Sequence, residues 1–136
     1  MEKSTDKDRL DIDMIYQFLH HEAYWSKGRS LAAVNNSIQH SLCFGGYANG
    51  QQIGFARVVS DYTIFAWLMD VFILPTHQGG GAGKQLLQYI FDHPDLRDVK
   101  TWGLKTYDAH RLYEQFGFQI LAKPEVHMER TNQAST

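Results

Sequence analysis

Leu68-Met69-Asp70-Val71-Phe72-Ile73-Leu74-Pro75-Thr76-His77-Gln78-Gly79-Gly80-Gly81-Ala82-Gly83-Lys84-Gln85-Leu86-Leu87 passes from an apolar run, through a glycine cluster, into a helical pattern. The run from Ile64 to Leu74 is the most apolar of the chain, and its Phe, Trp, Val and Ile content reads as a central strand interrupted only by Asp70. It exceeds an ordinary strand in length, so a bend or bulge is expected within it. Beyond the glycines, Leu86, Leu87, Ile90 and Phe91 form a helical stripe that Pro94 should stop. A helix start leaves free N–H groups and the positive end of the helix dipole facing outward. Missing side chains at Gly79, Gly80, Gly81 and Gly83 would let phosphate oxygens approach that backbone. Alone, such a cluster reads equally well as a flexible turn. Its setting between strand and helix favours anion holding.

The spacing narrows the anion. A Mg²⁺-nucleotide loop needs Gly-x-x-x-x-Gly-Lys followed by Ser or Thr, whereas Gly79 to Lys84 is one residue short and is followed by Gln85. A dinucleotide fingerprint would stand near the first strand of a larger βαβαβ unit. Here the glycines follow three strands.

Working outward, Ile12, Ile15, Tyr16 and Leu19 mark a helix from Asp11 to about His21, and Ser30 is placed to cap a second one through about His40, with Leu31, Val34 and Ile38 on one face. Residues 1–9 are polar and would either fray or supply a short edge strand. Leu42 to Ala48 and Gln52 to Ser60 flank Asn49-Gly50, a strong hairpin signal because both residues tolerate positive φ. Asp61-Tyr62 reads as a turn. Past the glycine helix, Val99 to Lys105 reads as a strand, Ala109, Leu112, Tyr113 and Phe116 as a short helix ended by Gly117, and Phe118 to Leu121 with Val126 to Glu129 as a final pair of strands. Residues 131–136 are expected to be a disordered tail. The expected architecture is a single α/β (α+β) domain over residues 1–136: a mixed, mostly antiparallel, twisted sheet with helices on both faces.

Composition removes several classes of function. The 136 residues carry 13 Lys and Arg against 15 Asp and Glu, with no long basic run, which argues against a general nucleic-acid binder. No apolar stretch is long enough to span a bilayer and the polar start does not resemble a secretory signal, so neither a membrane nor export is expected and a cytoplasmic setting is. The single Cys43 lies in the apolar Leu42-Cys43-Phe44 and reads as a core thiol. Seven histidines form no metal-ligand spacing, and no metal is expected.

Gln78-Gly79-Gly80-Gly81-Ala82-Gly83 matches the pattern Arg or Gln-x-x-Gly-x-Gly or Ala, and Ala109-His110-Arg111-Leu112-Tyr113-Glu114-Gln115-Phe116-Gly117-Phe118 matches a second signature at the right distance. On these motifs and their order the chain resembles the GNAT superfamily of acetyl-coenzyme A-dependent N-acetyltransferases, over roughly residues 10 to 130. The resemblance implies that the backbone of Gln78, Gly79, Gly80, Gly81, Ala82 and Gly83 binds a coenzyme pyrophosphate, with Lys84 near the same phosphates. It implies that Phe72, Ile73 and Leu74 pair with the pantetheine amides and that Tyr113 sits near the thioester sulfur as general acid. Strands 67–74 and 99–105 would splay apart to admit the pantetheine arm. Thr106 stands where many relatives carry asparagine. The implied reaction is acetyl transfer to a primary amine, most simply on a small molecule, by direct attack in a ternary complex, in a monomer or a homodimer.

The remaining candidates concern the acceptor. Asp70, a lone charge in an apolar strand, reads either as an amine ligand and proton acceptor or as a structural partner for an Arg, a Tyr or a backbone N–H. Tyr24, Trp25 and Asp61 would line the acceptor pocket, or serve as packing and a turn. His110, three residues before Tyr113, would tune it or cap its helix. Two other classes stay open: an acyl-coenzyme A-binding sensor with little turnover, and a small adaptor domain whose glycines are only a turn.

Overall fold

A computed structural model describes residues 1–132, so the end of the expected 131–136 tail lies outside the described residues. The chain divides into two compact units, Met1–Lys105 and a second that begins at Thr106. The first holds a five-stranded sheet in the order β1-β2-β3-β4-β5. Its strands are β1 (Glu2–Ser4), β2 (Leu42–Ala48), β3 (Gln51–Ser60), β4 (Phe65–Ile73) and β5 (Thr101–Gly103). The first four pair antiparallel, and β5 joins β4 in parallel.

One face of this sheet is covered by α1 (Ile12–Gln17), which continues as a π-helical turn over Phe18–Glu22, and by α2 (Leu31–Gln39). Asp11 accepts the Met14 N–H at 3.1 Å and Ser30 Oγ the Ala33 N–H at 3.1 Å, so each helix starts on a side chain that satisfies an orphan donor. Ile15, Leu19, Ala23, Val34 and Ile38 pack against Cys43, Phe55 and Phe72 of the sheet. Phe18 stacks on Phe72 with ring centroids 4.0 Å apart. The opposite face is covered by α3 (Ala82–Phe91), whose stripe buries Leu86, Leu87 and Ile90. Phe44 packs edge-on to Tyr89 and His93 on that side.

The hairpin forms as the Asn49-Gly50 signal requires, with φ of 53° and 79° at the two residues. The polar N-terminus supplies the edge strand β1, tied down by an Arg9–Glu2 ion pair of 2.8 Å. The bulge expected in β4 falls at Asp70. Phe72 faces Phe55 and Met69 faces Arg57, so Asp70 and Val71 oppose Ala56 alone, and Asp70 takes φ 55°. β5 is shorter than the Val99–Lys105 read from the sequence. Lys100 and Thr101 bond back to the Thr63 and Ile64 carbonyls, and pairing with β4 ends at Trp67–Gly103. Gly103 lies under the Trp67 ring, where a Cβ would come within 2.6 Å of an indole carbon. From Leu68 onward the β4 edge that faces away from β3 has no strand partner among the described residues.

In the second unit, α4 (His110–Glu114) follows a turn in which Thr106 Oγ1 accepts the Ala109 N–H at 3.0 Å. Tyr113 is buried, with its ring centroid 5.9 Å from that of Phe118, and Gly117 ends the segment at φ 91°. The strands expected at Phe118–Leu121 and Val126–Glu129 do not form. Pro124–Val126 is a 3₁₀ turn, and Ile120, Leu121, Val126 and Met128 are exposed. Alternating apolar residues specify which face a strand would bury but not that a neighbouring edge exists to pair with it, and Pro124 removes a donor between the two segments.

Candidate coenzyme and acceptor site

β4 ends in a 3₁₀ turn, Pro75–His77, after which the chain reverses through the glycines into α3. Gly79 and Gly81 take φ of 87° and 85°, values that disfavour any L side chain. Gly81 is the N-cap, and the first helical bond runs from the Gln85 N–H to its carbonyl at 3.0 Å. The N–H groups of Gly79 to Lys84 therefore find no acceptor among the described residues. A Cβ built at Gly79, Gly80 or Gly81 would meet nothing within 4 Å. The result is a backbone without side-chain cover at three glycines, with unpaired donors at the positive end of α3, and the exposed Lys84 adds a cation beside it. Gln78 has a mechanical part: its Nε2 donates to the Ile73 carbonyl at 2.9 Å, bracing the loop against the strand end.

The three strand residues expected to pair with an amide-bearing arm are not equivalent. Leu74 donates its N–H to the Ile53 carbonyl of β3 at 2.7 Å. Main-chain groups alternate in direction along a strand. Phe72, in register with Phe55, thus also faces β3, and Ile73 turns its backbone to the open edge. Phe72 instead fills the core beneath the helices.

Asp70 is bound on every side. Its Oδ1 accepts the Trp25 Nε1–H at 2.9 Å, and its Oδ2 accepts Arg29 Nη1 and Arg57 Nε, both at 2.7 Å. Only 1% of its side chain is exposed. Burial pushes this carboxyl up, but the Arg29 and Arg57 guanidinium charges and their hydrogen bonds outweigh it and hold the group below its ordinary value. Of the two readings left open for Asp70, this geometry matches the partner of arginine; a carboxylate that already accepts three hydrogen bonds and whose basicity is lowered is poorly suited to take a proton. Asp70 lies two residues before Phe72, on the strand next to Arg57, so the two lone charges of adjacent strands meet at the bulge. Arg57 also reaches Ser41 Oγ at 3.1 Å.

Tyr24 and Trp25 are 50% and 40% exposed and meet edge to face at 5.2 Å. Asp61 shapes its own turn: Oδ1 accepts the N–H groups of Thr63, Ile64 and Phe65 at 2.9, 2.8 and 3.1 Å, and those bonds lower its carboxyl pKa. In the second unit His110 is exposed at the first position of α4 and Tyr113 is buried in the same helix. Cys43 is fully buried, and burial pushes its thiol up to about 11. No group of three or more His, Cys, Asp or Glu is placed to hold a metal among the described residues, and no helix there is long and apolar enough to cross a membrane.

Sequence reading missed Arg29 and Arg57. A signal for Arg57 exists: it is the only charge between Ile53 and Val59, as Asp70 is the only charge in the next strand, and two lone opposite charges in adjacent apolar strands call for each other. Arg29, in a loop, has no such signal.

Residues 39–120 match the sequence family described as acetyltransferase (GNAT) domain. The structure resembles that of a protein assigned to the GNAT family from Xanthomonas campestris pv. campestris, with a TM-score of 0.93, 46% identity, and coverage of 96% of this chain and 92% of that one. The [ribosomal protein bS18]-alanine N-acetyltransferase of Haemophilus influenzae is 31% identical over 119 residues, which cover 82% of this chain and 77% of that protein. An assigned acetyltransferase of Gibberella zeae is 35% identical, over 71% of this chain and 67% of its own length. This chain spans only 52% of an N-acetyltransferase relative from Prochlorococcus marinus. With the strand, glycine turn and helix in place and the family match covering the greater part of its length, the chain belongs to the GNAT acetyltransferase family.

Proposed function

We propose that the protein transfers the acetyl group of acetyl-coenzyme A to the primary amine of a small-molecule acceptor, by direct attack in a ternary complex. The observation that carries this reading is the donor array of Gly79 to Lys84, without acceptors among the described residues and open above Gly79, Gly80 and Gly81, continuous with the open edge of β4. Such a backbone fits a pyrophosphate: several N–H donors, one helix dipole and room for oxygens where a Cβ would stand. Bound there, acetyl-coenzyme A would supply an acetyl group activated as a thioester, whose C–S bond gives way as the amine nitrogen forms the new C–N bond.

The chain's own residues do the rest. Gly79, Gly80, Gly81, Ala82 and Gly83 hold the pyrophosphate through the backbone, and Lys84 adds charge. The Ile73 main chain offers the open edge to the pantetheine arm. Tyr113 gives its phenolic proton to the departing sulfur, a role that rests on the family's second signature. The amine's surplus proton passes to water, since the Asp70 carboxylate already serves Trp25, Arg29 and Arg57. Holding both reactants in one orientation supplies most of the acceleration, and acid catalysis a further factor of about 100 or more.

Calorimetric titration with acetyl-coenzyme A tests the reading directly. Saturable binding is expected, and none at millimolar ligand would overturn it. Tyr113→Phe should keep that affinity and slow thiol release about 100-fold. Coenzyme binding without thiol release across an amine panel would instead favour a sensor.

A further inference from the structure

We propose that Arg29 recognises a carboxylate on the acceptor, so that the acceptors of this protein are amines carrying a carboxylate, amino acids being the simplest class. The proposal rests on the acetyltransferase reading and names the substrate class of that same site. Arg29 spends only Nη1 on Asp70; its Nε and Nη2 have no acceptor among the described residues. Only 16% of its side chain is exposed, so these donors do not simply sit in bulk water. They form one planar edge of the guanidinium, the edge that matches the two oxygens of a carboxylate.

The charge count points the same way. One carboxylate, Asp70, lies between the Arg29 and Arg57 guanidiniums, and the cluster is left with one excess positive charge. Arg57 is the buried partner and is braced by Ser41, so the excess is available at Arg29. Burying an uncompensated charge is costly, and a monoanion seated on Arg29 would neutralise it. A single excess charge and a single free guanidinium edge suit a carboxylate better than a phosphate dianion.

Position completes the argument. Asp70 is the β4 bulge, three residues past the last β5 pair, on the strand whose open edge leads to the glycine cradle. From Leu74 back to Asp70 is roughly 13 Å at about 3.3 Å per residue, far enough along the strand to lie beyond an arm anchored at the glycines. Trp25 donates its indole N–H to the same carboxylate, which fixes the ring beside Arg29, and Tyr24 meets it edge-on. Together they offer an apolar wall next to the anion donor.

The decisive comparison uses matched acceptors: L-phenylalanine, L-phenylalaninamide and 2-phenylethylamine, with rates corrected for the fraction of unprotonated amine. The wild-type protein should favour the amino acid at least tenfold in kcat/KM. Arg29→Gln should abolish that preference through KM, Arg29→Lys should retain part of it, and both should bind acetyl-coenzyme A as the wild type does. A readout independent of turnover is the affinity for N-acetyl-L-phenylalanine by ligand-observed NMR, with and without coenzyme A. It should weaken at least tenfold in Arg29→Gln and for the product amide on the wild type. Coenzyme binding with equal or better use of the amide and the amine would overturn the proposal, as would an Arg29→Gln variant that keeps the preference. Replacement of the amino acid by a phosphorylated amine as the favoured substrate would overturn it too. If wild-type protein failed to bind acetyl-coenzyme A, the parent reading would fall, and carboxylate-dependent NMR binding would still decide the role of Arg29. The acceptor comparison needs no variant, so a folding defect at Arg29 does not remove the test.

Discussion

Asp70 holds a backbone conformation, φ 55°, that few side chains tolerate, and its carboxylate accepts from Trp25, Arg29 and Arg57. Aspartate is among the residues that enter the left-handed region at low cost, and asparagine is another. Asp70→Asn therefore removes the charge while sparing the backbone. It leaves the largely buried Arg57 guanidinium and its neighbour Arg29 without their counter-charge, and breaking a buried pair from one side costs about 3–5 kcal/mol. Urea denaturation at pH 7 should show a loss of that order. The pH dependence has a definite sign. Because the folded-state value lies below the ordinary carboxyl, the contribution of Asp70 is complete above about 3.9 and is lost as pH falls through the folded value. The gap between wild type and Asp70→Asn should thus close in acid, and a variant within about 0.5 kcal/mol of wild type at neutral pH would refute the account. The lone charge was visible in the sequence. The bulge at Asp70 was expected only as an irregularity somewhere in β4, and the contribution of Arg29 depends on a loop conformation that no local pattern encodes.

The strand, the glycine turn and α3 act as one unit, and this is where sequence and structure agree most closely. Ser30, Asn49-Gly50 and the Leu86, Leu87 and Ile90 stripe each bring a local requirement that only one conformation meets, so their elements were legible. β5 was overestimated because the residues from Val99 to Lys105 do not record where pairing with β4 stops. Within the cradle, the glycines differ in a way that permits a clean experiment. Gly79 and Gly81 require positive φ, so their substitution strains the fold itself. Gly80 has no such requirement, and a Cβ there meets nothing within 4 Å. Gly80→Val should leave thermal stability within about 0.5 kcal/mol of wild type. It would place a branched side chain in the open space where the proposed pyrophosphate oxygens would lie, and acetyl-coenzyme A affinity should fall at least tenfold by calorimetry. Unchanged affinity with an unchanged fold would show that the pyrophosphate lies elsewhere.

Across the molecule, apolar burial is distributed very unevenly. The sheet, both helical layers and the described buried apolar residues fall within Met1–Lys105, except for Tyr113. The second unit begins at Thr106 and contributes the short α4, and it leaves Ile120, Leu121, Val126 and Met128 exposed. That is why its strands were misread: their alternation implied a sheet edge to join, and hydrophobic pattern carries no information about whether such an edge is offered. The same imbalance separates stability from chemistry. Stability scales with apolar area removed from water, and nearly all of that area belongs to the first unit. A protein ending at Lys105 should therefore retain its far-UV circular dichroism and a cooperative melt, and its glycine cradle should still bind acetyl-coenzyme A. It would lack Tyr113, and thiol release should drop by about the same 100-fold as in Tyr113→Phe, or further. A truncated chain that unfolds outright would mean that residues after Lys105 supply core stability that the burial pattern does not reveal. One that turns over amines at the wild-type rate would remove Tyr113 from the chemistry.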